Sequence, residues 1–73
     1  MYLEKWCNLT NISKRELSKR LGNATPTTVT RWTKSKRFPT PQSLIKIEKL
    51  TEGVVTANDF VKQWEEAHGK QEG

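Results

Sequence analysis

The 73-residue sequence predicts an all-α fold of five short helices in a single domain. Three observations carry that expectation. Apolar residues recur at three- and four-residue spacing in one segment after another. Helix-start signals precede those segments at Ser13, Thr25-Pro26, Thr40-Pro41 and Thr56. Gly22 stands where one stripe runs out, the residue best suited to a left-handed helix end, and another stripe ends near Gly53.

From Tyr2 to Leu9, Leu3, Trp6 and Cys7 share one helical face, and Asn11 breaks the pattern. Ser13 with Glu16 three residues on has the capping-box arrangement and opens KRELSKRL. That helix turns Leu17 and Leu21 inward, carries a basic outer side and stops at Gly22. Thr25-Pro26 then supplies a hydroxyl cap and a proline at the first helical position, where its missing N–H costs nothing.

Val29 and Trp32 of this third helix face the core, leaving Thr27, Thr28, Thr30 and Arg31 on its other sides. β-Branched Thr is a poor helix former, so packing must hold the helix and the clustered Thr residues serve something other than helicity. Thr40-Pro41 repeats the start signal ahead of Leu44, Ile47 and Leu50, a stripe ending near Gly53. Thr56 opens the last helix with Asp59 at the capping-box position and Phe60 and Trp64 on one face. Between these two helices Val54-Val55 is either a short extended stretch or core filler.

The domain spans residues 1–68, with 69–73 a flexible polar tail. Trp6, Trp32 and Trp64 lie on apolar stripes, so core packing suits them better than base stacking; Tyr2 and Phe38 follow the same logic.

One cysteine, Cys7, excludes an internal disulfide, and with the lone His68 it forms no metal set. No cofactor and no small-molecule ligand are expected. No apolar run approaches the roughly 20 residues of a membrane span, and no signal-peptide core is visible, so a cytoplasmic protein without a membrane partner is expected. Nucleophile–His–acid sets, paired acids and phosphate-cradling glycine loops are missing, which argues against an enzyme.

The net charge of +5 is unevenly placed. Between Ser13 and Arg37, eight basic side chains face Glu16 alone, a net +7, while the rest of the chain holds five Lys and seven carboxylates, a net −2. A basic third of the chain beside an acidic remainder is the footprint of a polyanion partner. A merely solvated basic face would look the same by charge alone.

The span ISKRELSKRLGNATPTTVTRWTKSKRFPTPQSLIKIEKL resembles the Cro/repressor-type helix-turn-helix of phage and prophage regulators, over about residues 3 to 52. Leu17, Leu21, Gly22, Val29, Trp32 and Pro39 agree with the family pattern together. Three positions depart from it. The turn from Gly22 to Val29 carries one extra residue, assigned to Asn23. Ser18 replaces the usual Ala at the closest helix approach, which requires its hydroxyl to find a carbonyl. Ser35 replaces the Gly that usually ends the recognition helix in the left-handed conformation.

The resemblance implies that the Thr25–Thr33 helix enters the major groove of double-stranded DNA. Pro26, Thr27, Thr28, Thr30 and Arg31 would meet base edges. Arg31 is the foremost, by bidentate bonds to guanine or else as a phosphate clamp. Lys14, Thr25, Lys34, Lys36 and Arg37 would hold phosphates, and Lys19 and Arg20 would act only through the long-range field. It further implies a homodimer on a palindromic operator, pairing through surfaces such as Ile45 or Val61, in a bacterial host cell. With no second domain in view, a Cro-like constitutive repressor is expected. Two alternatives remain: a helical protein-binding module such as an antitoxin or adaptor, and an architectural DNA-binding protein without sequence preference.

Overall fold

In a computed structural model, residues 1–69 are described and form five helices in the order α1 (Leu3–Thr10), α2 (Lys14–Leu21), α3 (Pro26–Thr33), α4 (Pro41–Leu50) and α5 (Ala57–His68). No strand occurs among the described residues. Every helix contributes to one core: Leu3 and Cys7, Leu17 and Leu21, Val29 and Trp32, Ile47, and Phe60, completed by Val55 from the α4–α5 loop. The inward stripes follow the 3.6-residue period. Trp32 is buried, whereas Trp6 packs on the core edge half-exposed. Burial holds the Cys7 thiol above its usual pKa, so it remains a neutral packing group.

The hydroxyl starts all form. Ser13, Thr25, Thr40 and Thr56 each accept a hydrogen bond from the backbone N–H three residues on. One expectation needs correction. Ser13 and Glu16 make only half a capping box, because the Glu16 carboxylate turns outward to Arg20 Nε at 3.1 Å. Among the described residues the reciprocal box is complete only at Thr56–Asp59.

Asp59 also meets the Met1 ammonium at 2.8 Å. Burial alone would raise its pKa, but the hydrogen bonds from the ammonium and from Thr56, with the ammonium's charge, outweigh it and bring the carboxyl below its ordinary value.

Helix ends depend less on glycine than the sequence suggests. Only Gly22 ends a helix as the expected glycine in left-handed conformation, at φ 81°. Asn11, Ser35 and Glu52 take positive φ at the ends of α1, α3 and α4. The third stripe ends at Leu50, as expected, with Glu52 and Gly53 both in left-handed conformation just after it.

Val54-Val55 is not a strand. Val55 is fully buried and its N–H donates to the buried Thr51 hydroxyl at 3.1 Å, while Val54 is exposed. Of the five-residue tail, Gly69 closes α5 and residues 70–73 lie outside the described region.

Candidate nucleic-acid interface

The surface is built on α3, which α2 supports from behind. Val29 and Trp32, at 0% and 4% exposure, anchor one side of α3. At roughly 100° per residue, Thr27 and Arg31 then fall on the opposite side, and both are exposed. Pro26 is exposed at the helix start, and Thr28 and Thr30 are half-buried on the flanks. All five expected base-contacting residues therefore lie on or beside the outward face.

At its N-terminus, Thr25 Oγ1 accepts from the Thr28 N–H at 3.2 Å and lies 3.0 Å from the Thr28 hydroxyl. The Thr28 hydroxyl thus has a local partner before any ligand arrives. At the other end the chain doubles back. Ser35 N–H donates to the Trp32 carbonyl at 3.2 Å, and Lys36 N–H to the Arg31 carbonyl at 2.9 Å. This is the Schellman arrangement, with Ser35 at φ 57° in the left-handed position.

The turn displays Lys34, Lys36 and Arg37, all exposed. Neither these three nor Arg31 is paired with a carboxylate among the described residues. Lys14 is different. Its ammonium lies 2.9 Å from Glu4, in a partly exposed pair of the kind worth at most about 1 kcal/mol.

The three departures from the family pattern each find a place. Asn23 Nδ2 donates to Ser43 Oγ at 3.3 Å, so the extra turn residue fastens the turn to the start of α4. The buried Ser18 hydroxyl donates to the Arg15 carbonyl at 2.8 Å. The Ser35 conformation is the one glycine usually supplies.

An open cleft of 580 Å³ runs between α3, the α2–α3 turn and the start of α4, lined by Thr28, Arg31, Arg37, Asn23, Thr40 and Gln42 among others. No carboxylate lines it. Gln42 and Asn23 were not singled out from the sequence for contact with a ligand, since neither is charged and neither lies on α3. Among the described residues no group of acids, His and Cys could hold a metal ion, and no helix is long and apolar enough to cross a membrane.

A helix held from behind, exposed on its front and flanked by unpaired cations defines a helix-turn-helix DNA-binding domain. Residues 3–53, from α1 through the turn after α4, match the family model described as Helix-turn-helix. The chain belongs to this family, of the Cro/C1 type, and is a DNA-binding transcription regulator whose partner is double-stranded DNA. The family is regulatory and not typically enzymatic. No curated protein and no solved structure is significantly similar to the chain.

Proposed function

We propose that the protein is a sequence-specific, Cro-like repressor of phage or prophage type that binds a palindromic operator as a dimer. The observation that carries the reading is the front of α3: Thr27 and Arg31 exposed side by side, with Lys34, Lys36 and Arg37 unpaired next to them among the described residues. Charge of one sign beside short hydrogen-bonding side chains suits a partner that presents phosphates and base edges together.

In this reading Arg31 donates two hydrogen bonds to guanine O6 and N7, and Thr27, Thr28 and Thr30 offer hydroxyls and methyls to neighbouring bases. Pro26 adds only apolar contact. Lys34, Lys36 and Arg37 bind phosphates, Thr25 does so at the helix start, and Lys14 joins by exchanging Glu4 for a phosphate. Four phosphates neutralised per subunit make log K fall by ~3.6 per decade of salt.

One α3 reads few base pairs, so two copies on half-sites ~10 bp apart are required for a usable operator. Ile45 and Val61, at 56% and 45% exposure, are apolar side chains that the core leaves over for such pairing. Selection of duplexes from a random pool, with sedimentation of the free protein, tests the proposal. A palindromic consensus and a dimer are expected. Equal binding of every duplex would make the protein architectural, and no binding of any duplex would favour the adaptor alternative.

A further inference from the structure

We infer that Gln63, supported by His68, is a positioning residue for DNA binding: from α5 it fixes the turn that ends α3, and with it the basic loop Lys34–Arg37. Both residues lie beyond the 3–53 segment matched to the family. Gln63 Nε2 stands 3.2 Å from the Trp32 carbonyl, 2.9 Å from the Thr33 carbonyl and 3.1 Å from Ser35 Oγ. An amide nitrogen has two N–H groups, so three acceptors converge on two donors. Two of the acceptors are carbonyls in the last turn of α3: that of Trp32 also takes the Ser35 N–H, whereas that of Thr33 meets no backbone N–H among the described residues.

His68, five residues further along α5, has Nε2 2.7 Å from the Ser35 carbonyl. A carbonyl only accepts, so that nitrogen carries the proton. The imidazole is itself packed on Trp64, ring centroids 4.1 Å apart. The far end of the loop meets the same helix, since Phe38 packs edge-on against Trp64 at 5.7 Å and Phe60 at 6.5 Å. Lys34, Lys36 and Arg37 are thus carried on a segment clamped to α5 at Ser35 and at Phe38.

The clamp has a local reason. Ser35 holds a positive φ that favours glycine, and a turn in that conformation persists where its surroundings hold it. Without the α5 donors the Trp32 and Thr33 carbonyls turn to water and the loop samples other arrangements. Cations that wander cost more ordering when they meet phosphates at fixed spacing. The inference rests on the DNA-binding reading of α3 and its loop, and the test separates the two.

Native-state amide hydrogen exchange is measured on the whole chain, with binding to a duplex selected from a random pool measured alongside. Gln63→Leu keeps the size and removes the donors without changing charge. It is expected to speed exchange at Ser35 and Lys36 by about tenfold, the worth of one capping hydrogen bond, relative to Leu17 and Leu21. His68→Ala, at an exposed site on the last turn of α5, is expected to act on the same amides by about threefold. Gln63→Lys, whose ammonium also donates to carbonyls, should restore slow exchange; its added charge excludes it from the DNA comparison.

Gln63→Leu should weaken the selected and a random duplex alike, by about tenfold, with an unchanged consensus. Exchange that rises uniformly along the chain, or not at all at Ser35 and Lys36, overturns the clamp. Selective loosening with unaltered DNA affinity overturns the positioning role. Failure of the native chain to bind any duplex sinks the DNA reading and the positioning role with it, while the exchange rates at Ser35 and Lys36 still decide whether the clamp exists.

Discussion

Thr25-Pro26 and Thr40-Pro41 begin α3 and α4 with the same dipeptide and almost the same geometry. Both Thr residues are extended, and each hydroxyl accepts from the N–H three residues on, at 3.2 Å and 3.3 Å. Each also pairs with a second hydroxyl, Thr28 at 3.0 Å and Ser43 at 3.1 Å. The resemblance stops there. Thr28 stays half-exposed beside Arg31, whereas Ser43 is buried and takes a further hydrogen bond from Asn23 across 20 residues of chain. One start opens onto solvent as a surface for a partner; the other locks the α2–α3 turn in place. A capping signal says that a helix begins, and what packs against it decides what the helix is for.

The largest effects should come from removing the anchors that separate the two starts. Trp32→Ala beneath α3 should cost about 3–5 kcal/mol and Ile47→Ala beneath α4 about 2–5 kcal/mol, both read from urea unfolding. Either loss is a large part of the stability available to so small a domain. A loss under 1 kcal/mol at Trp32 would mean that α3 is not held from behind.

Next come the outward-facing side chains. Arg31→Ala should relax base preference by about 1–3 kcal/mol at one position of the selected site with unfolding unchanged. Gln42→Ala, at the start of α4, should leave the consensus as it was. An altered consensus in the Gln42 variant would erase the distinction between the two helices. Lys36→Ala should weaken all sequences alike and lower the salt slope by about 1.

The caps should then behave alike in stability and differently in function. Thr25→Ala and Thr40→Ala should each cost about 1 kcal/mol, but only the first should also lower DNA affinity beyond what stability explains.

The smallest effect is expected at the third threonine start. Thr56 relies on the Asp59 carboxylate, whose pKa lies lower in the folded chain than its ordinary value. A depressed carboxylate contributes stability above the unfolded pKa and loses it as pH falls through the folded one. Unfolding measured from pH 5 downward should therefore show a loss, beginning near the ordinary aspartate range, that Asp59→Asn removes. Discounted for a partly exposed pair, it is under about 1 kcal/mol. Neither Thr-Pro start contains a titrating cap, so both should survive that change.

Much of this architecture was legible residue by residue. The hydroxyl caps, the prolines at the first helical position, Gly22 and the inward residues Leu17, Leu21, Val29, Trp32 and Phe60 are local signals, and the helices begin where those signals stand; Trp64, expected in the core with Phe60, instead stays half-buried against Phe38 and His68. The candidate surface was legible in its charges, because eight basic residues against one acid need no structure to be noticed. Glu16 misled because two local rules competed for one carboxylate, and the Arg20 pairing four residues on prevailed over the Ser13 backbone. Asn23, Ser43 and Gln63 were silent because an uncharged polar residue carries no sign of which distant carbonyl or hydroxyl it will meet.

Taken alone, the order of residues determined which segments coil, where they start, which side of each is apolar and which third of the chain is positive. Those properties depend on neighbours within about four positions, and such neighbours meet in any helix. Tertiary packing decided the rest: that Asn23 ties the turn to α4, that Ser35 stands in for a glycine, and that α5 reaches back some thirty residues to hold the end of α3. Hydrogen bonds across such separations exist only once five apolar faces have closed on one core. Until then water satisfies the same groups equally well.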